Sequence, residues 1–196
     1  MAKIRYLPRF WSTFAGIVWG GSLLAVLYRG IQGIIQAQLP WGVISQYILP
    51  VLFGGLAIAC LIWGRRNGPM GWAFLGCALL SLAINPLLVI PLLENLPGIS
   101  FNTSITLPQI LQGCLYLLVA ADCFIPKLPK WMRWLFIILP VAVLVSNFAV
   151  DVLFMASRFP ERWMGLGVRY YAGLLLDALL DGLAGIVLGI AFFRAK

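Results

Sequence analysis

The chain of 196 residues contains no histidine. That absence removes the commonest zinc and haem ligand and the usual general base. Charge is scarce as well: charged residues make up 10%, with six acids against fourteen Lys and Arg. The four cysteines, Cys60, Cys77, Cys114 and Cys123, form no CxxC and all fall in apolar segments. They read as small buried hydrophobes, not as a disulfide framework or a metal site. No phosphate-binding glycine loop and no nucleophile elbow is present. Low-complexity segments and tandem repeats are also missing. No small-residue cleavage site follows the N-terminal MAKIRYLPRF, which reads as a short basic cytoplasmic start. Nothing in these patterns calls for a cofactor or a metal.

What the chain has is apolar surface. Its hydrophobic content is 62% and its mean hydropathy +0.99, far outside the range of soluble domains. The expectation is all-α: a single polytopic membrane domain over 1–196. A span needs roughly 20 apolar residues to cross ~30 Å of hydrocarbon. Six blocks meet or approach that length, at about 10–37, 43–64, 70–93, 107–124, 131–156 and 170–193. Pro50, Pro86, Pro91 and Pro140 fall inside blocks and predict kinks. Gly64-Arg65-Arg66-Asn67-Gly68-Pro69 is expected to be a tight connection.

The net charge of +8 sits at the block ends, which points to membrane orientation and anionic headgroups, not nucleic acid. With the N-terminus inside, the inner segments hold Lys3, Arg5, Arg9, Arg65, Arg66, Lys127, Lys130, Arg133, Arg194 and Lys196; the outer ends hold Arg29, Arg158, Arg162 and Arg169. Six transmembrane helices with both termini cytoplasmic follow from that bias. The expected location is the inner membrane of a prokaryotic cell, or an equivalent internal membrane. Trp131 and Trp134 beside Lys127, Lys130 and Arg133 read as an interfacial anchor.

The sixth block, YYAGLLLDALLDGLAGIVLGIAFF, carries Gly173, Asp177, Asp181, Gly185 and Gly189 at spacings of four. On a helix these form one slowly drifting ridge, small at its ends and acidic in the middle. A carboxylate in hydrocarbon costs ~2.5–3.5 kcal/mol on insertion scales, so the ridge is expected to face protein or water. Asn147 and Asp151 repeat the four-residue spacing on the fifth block. Asn85 on the third, Gln109 and Gln112 on the fourth and Arg169 at the start of the sixth fall at similar outer depth. The candidate ligand-binding set is therefore Asp177, Asp181, Asn147, Asp151, Asn85, Gln109, Gln112 and Arg169, lining a cavity open to the outside. The inner half is nearly apolar down to Asp122, near the basic 127–133 connection.

Interhelical hydrogen bonding would also employ such residues. The pair Asp177 and Asp181 favours a site instead. Two carboxylates one turn apart repel, so one of them keeps its proton, and packing alone has little use for that. A proton, a cation or a small cationic or polyol-like ligand would use it.

Three functions are consistent with these residues. The first is binding or transport of a small molecule. The second is an accessory or structural subunit of a larger membrane complex, suited by eight Trp and the glycine ridges. The third is a lipid-acting membrane enzyme with Asp177 or Asp181 as acid or base. An intramembrane aspartyl protease would require GxGD and YD, whereas the contexts here are Leu176-Asp177 and Leu180-Asp181. A CDP-alcohol phosphotransferase would require more acids in a fixed array. Gly16 and Gly20 on the first block, and Gly68-Pro69 with Gly71 and Gly76 at the third, accompany a layout similar to the substrate-binding subunits of energy-coupling-factor transporters. That likeness implies six helices with a ligand pocket near the outer side of the later ones. The small first-helix residues of that family contact an energising membrane subunit; here Trp19 stands four residues after Ala15, so the resemblance is one of layout. Expected partners are membrane lipids, a polar or cationic ligand or protons, and other membrane subunits.

Overall fold

The computed structural model describes residues 5–37, 41–66, 68–82, 106–125, 127–158 and 168–195. Among them are six helices: α1 (Arg9–Ala37), α2 (Trp41–Trp63), α3 (Gly68–Leu79), α4 (Thr106–Phe124), α5 (Lys130–Arg158) and α6 (Val168–Phe193). Each begins and ends within about two residues of an apolar block wherever that block's end is described, the usual uncertainty of helix ends. The expected outer end of the third block, with Asn85, lies outside the described residues.

Each helix packs on the next in sequence, and α6 closes back on α1, giving a ring. Glycines mark where neighbours approach most closely. Gly16 of α1 stands against Ile58 and Ile62 of α2, and Gly54 of α2 against Leu23 of α1. Gly71 of α3 meets Phe124 of α4, and Gly113 of α4 meets Leu82 beyond the end of α3. Both pairs of contacts run in opposite chain directions, so these neighbours are antiparallel.

A two-residue antiparallel pair closes one end of the ring. β1 (Arg5–Tyr6) lies on β2 (Arg65–Arg66), with Arg5 opposite Arg66 and Tyr6 opposite Arg65. Gly64 makes this possible. It ends α2 in the left-handed region at φ +64°, where a side chain would clash with its own backbone. Its amide donates to the carbonyls of Cys60 (3.0 Å) and Leu61 (2.9 Å), while its own carbonyl accepts from Leu7 N–H at 2.9 Å. The tight connection expected at 64–69 is thus also a docking edge for the N-terminal segment. Arg194, at the far end of the chain, places its guanidinium 5.3 Å from the centre of the Trp11 ring. Both described chain ends, the 64–66 turn and the α4–α5 connection therefore share one end of the ring.

The core is held by aromatic contacts that cross it. Trp19 of α1 packs on Tyr116 of α4 (5.2 Å) and Phe74 of α3 (5.3 Å). Phe74 reaches Phe192 of α6 at 6.3 Å, and Phe192 stacks on Phe136 of α5 at 5.6 Å. Five helices are joined by this one chain of rings, each buried. Such pairs contribute about 0.5–1.5 kcal/mol beyond burial of their area.

Two helices among the described residues are long and apolar enough to cross a membrane, over Leu107–Phe124 and Lys130–Ala149. Shorter apolar helical stretches run over Val51–Trp63, Gly68–Leu82 and Gly182–Phe193.

Candidate functional site

The expected acidic ridge lies on α6, and its glycines fix where that helix touches its neighbours. Gly189 meets the backbone carbonyl of Phe136 on α5, with Pro140 Cγ 3.0 Å from where a Cβ would stand. Gly185 faces Pro140 and Leu115 of α4, with a Cβ there 3.6 and 3.7 Å away. Gly182 meets Leu144. Proline explains the closest contact. Pro140 has no amide proton to donate to Phe136, four residues earlier, and its ring pushes that carbonyl off the helix axis. Only a residue without a side chain can lie against it.

These contacts set the register of α5 on α6. One step outward on α5 matches one step back along α6, so Asn147 comes level with Asp177, and Asp151 one turn further out. Asp122 in the last turn of α4 and Arg194 just past α6 share the end closed by β1 and β2, so α4 runs parallel to α6, and Leu115 opposite Gly185 brings Gln112 level with Gly182. On α6, Ala184 and Leu188 are buried while Leu179 and Leu183 on the opposite face are exposed. Asn147 shares the α5 face of buried Pro140 and Val143. The backbone thus sets Gln112, Asn147, Asp151, Asp177 and Asp181 at neighbouring levels on three adjacent helices. The side chains of Asp151, Asp177, Asp181 and Arg169 lie outside the described part, as does Asn85.

The described members of the set are half-buried. Gln112 donates from Nε2 to the hydroxyl of Tyr116, one turn nearer the core. This ties the polar layer to the chain of rings, because the same Tyr116 packs on Trp19. Gln109 and Asn147 are half-buried without lying in the core. Ser146, beside Asn147 and buried, turns its hydroxyl back to the Val143 carbonyl at 3.0 Å, the local bond a hydroxyl makes on a helix when no better partner is in reach.

A second polar feature sits at the opposite end and was not foreseen. Arg66 Nη2 lies 2.7 Å from Asp122 Oδ2, and the side chains are only 4% and 10% exposed. The same Nη2 donates to the Asp122 backbone carbonyl at 3.4 Å. That carbonyl belongs to the last turn of α4, where the helix leaves acceptors unmatched and carries negative partial charge. Arg66 thus meets a carboxylate and a helix C-terminus together. Strand pairing of β2 with β1 aims it there. Asp122 lies near the 127–133 basic run in sequence, and its partner comes from 56 residues away. A lone acid at the end of a span, facing a basic turn of another span, was the available signal.

A shallow groove of about 310 Å³ runs along the outer surface of α1 between Arg9, Phe10, Thr13, Phe14 and Ile17. It is separate from the polar layer. Among the described residues no cluster of three or more His, Cys, Asp or Glu side chains could hold a metal ion. Cys60, Cys77 and Cys123 are buried free thiols and Cys114 is half-buried. No protein-family model, curated protein or solved structure matches this chain.

Proposed function

We propose that this chain is an integral membrane protein of six spans, with both termini cytoplasmic, that binds or transports a small polar or cationic molecule through the layer on α4, α5 and α6. The supporting observation is an inverted distribution of polarity. The membrane-length stretch of α5 is only 22% buried, and its outward line is Trp131, Trp134, Ile138, Val141, Val145 and Phe148, all exposed. A soluble protein does not leave such a line in water; the apolar patch of a typical monomer is a few hundred Å². Meanwhile the described polar residues Gln109, Gln112 and Asn147 of α4 and α5 are half-buried, and Ser146 is buried. Lipid outside and polar groups inside is the arrangement that hydrocarbon imposes.

The aromatic and basic residues agree with this placement. Tyr6, Phe10, Trp63, Trp72, Phe124, Trp131 and Trp134 are all exposed and all lie near the end closed by β1 and β2. Arg9, Lys127, Lys130, Arg133 and Arg194 lie at that end too. A girdle of amphipathic rings with basic residues beside it suits a cytoplasmic interface. The bundle then directs its polar layer toward the outer leaflet, with Asp181 nearer the midplane and Asp177 a turn further out.

Two measurements test this. C-terminal reporter fusions at the successive connections should alternate sides, with the ends after Arg66, Phe124 and Arg194 on the cytoplasmic side; any other pattern removes the six-span reading. For the site, wild-type protein and Asp181→Asn are purified in mild detergent, and small molecules released on denaturation are identified by mass spectrometry. The wild type should carry a polar molecule that the folded variant lacks. If the two release the same material, and the wild type instead brings down other membrane chains, the protein is a subunit of a complex.

A further inference from the structure

We propose that the Arg66–Asp122 pair is a releasable latch, which keeps the cytoplasmic end of the bundle shut while the polar layer stands open outward, and which parts when that end opens. This rests on the transport reading above and adds the place where the inner end comes apart. A molecule leaving the layer for the cytoplasm has to cross the inner half of the bundle. There the described core is hydrocarbon and aromatic rings, apart from the Ser12 hydroxyl and one charged contact. Among the described residues Arg66 and Asp122 are the buried charges, with Nη2 2.7 Å from Oδ2. Their contact joins pieces distant in sequence. Arg66 stands on β2, which pairs with the N-terminal β1; Asp122 stands in the last turn of α4. Beside it Phe124 closes on Gly71 of α3 and meets the edge of Trp72 at 5.3 Å. One ion pair thus ties the N-terminal strand and the α2–α3 turn to the end of α4.

A charged pair is a poor choice for a permanent plug. Two ions taken out of water lose solvation that their attraction only roughly repays, and well-packed hydrocarbon of the same volume is often as stable or more so. The balance differs for a contact that has to break. Leucines parted at the water-facing end would expose apolar surface with nothing returned; parted ions recover their hydration. The closed and open states of a charged latch therefore lie closer in free energy than those of a hydrophobic one. The strap over it is short: β1 and β2 have two residues each, continued by the bond from Leu7 N–H to the Gly64 carbonyl. α4 carries both ends of the device. Gln109 and Gln112 lie in its first two turns and Asp122 in its last, while Tyr116 at its middle packs on Trp19. A stiff helix rocking about that middle contact moves its two ends in opposite senses, so the inner end opens as the outer layer closes.

The chain carries its own reporters. Cys123 is buried beside Asp122, and Cys77 is buried more than two turns into α3. The full chain in oriented membrane vesicles is treated with a membrane-impermeant maleimide, and the rate at each thiol is read by peptide mass spectrometry. From the cytoplasmic side, Asp122→Asn should label Cys123 on the order of tenfold faster than wild type, the worth of one charge-assisted contact, with Cys77 protected in both. The double variant Arg66→Leu with Asp122→Leu, whose end is held by hydrocarbon, should label Cys123 more slowly than wild type. From the outer side, a thiol placed in the layer by Gln109→Cys should react, and should react more slowly when Asp122→Asn is added. The latch is overturned if Asp122→Asn exposes Cys77 along with Cys123, since the pair then only holds the fold together, or if the double leucine variant labels as fast as wild type. The Gln109→Cys thiol separates this inference from the reading beneath it. If that thiol is reached from outside but is indifferent to Asp122→Asn, the latch falls and the open layer stands; if it is not reached at all, both fall.

Discussion

Replacing Gly189 by alanine tests the α5–α6 contact at its tightest point. The added methyl would stand well inside van der Waals distance of the Phe136 carbonyl oxygen, with Phe136 C at 3.1 Å and Pro140 Cγ at 3.0 Å. Backbone atoms and a proline ring cannot rotate aside, so the helices must separate. Overpacking typically costs 1–3 kcal/mol, and an immovable obstacle places this one near ~3 kcal/mol. Loss of the Cα–H contact to the carbonyl adds about 0.5–1 kcal/mol; the better helix propensity of alanine returns about 1 kcal/mol. The net is destabilisation by roughly 3 kcal/mol, about two orders of magnitude in the folding equilibrium. Gly185→Ala, one turn away on the same ridge, is the control. Its methyl would find Pro140 Cβ at 3.6 Å and Leu115 Cδ2 at 3.7 Å, ordinary contacts, so it should be neutral or stabilise by up to ~1 kcal/mol. Reversible unfolding in mixed micelles, followed by tryptophan fluorescence and circular dichroism, gives both values. A third variant isolates the cause. Pro140→Ala restores an amide that can draw the Phe136 carbonyl back into α5, so Gly189→Ala should cost at least about 1 kcal/mol less in that background. Equal effects of the two glycine substitutions, or strict additivity with Pro140→Ala, would refute the account.

Other consequences follow from single contacts. Arg66→Leu or Asp122→Leu alone should destabilise by about 3–5 kcal/mol, because each strands a buried charge, while the double substitution should recover most of that; the same unfolding assay reads the cycle. Gly64→Ala forces a side chain into the left-handed region at φ +64° and brings a methyl to 3.2 Å from Ser12 Oγ. It should cost about 1–2 kcal/mol, and hydrogen exchange should show faster opening of Leu7 N–H, which bonds to the Gly64 carbonyl. Tyr116→Phe removes the acceptor of the Gln112 amide and should cost about 1–2 kcal/mol, with Gln112→Leu in the same chain restoring part of it.

The paired substitutions also show why some features could be read from the chain and others could not. Hydropathy is a local sum, so the apolar blocks located all six helices to within about two residues wherever their ends are described. Net charge at block ends is local too. It grouped Arg9, Arg65, Arg66, Lys127, Lys130, Arg133 and Arg194, and the folded chain brings these to one end of the ring. Spacing on one helix is equally legible: Gly185 and Gly189 were recognisable as one small-residue face of α6. Contacts between helices depend instead on rotation and register, which no single segment carries. Only the packed structure distinguishes Gly189, held against a backbone carbonyl displaced by Pro140, from Gly185 with its room to spare. Only the pairing of β1 with β2 turns Arg66 inward to Asp122, across 56 residues of chain. Solvent exclusion along a helix is written in its own residues, whereas the choice of partner across a bundle is a cooperative result of every helix settling at once.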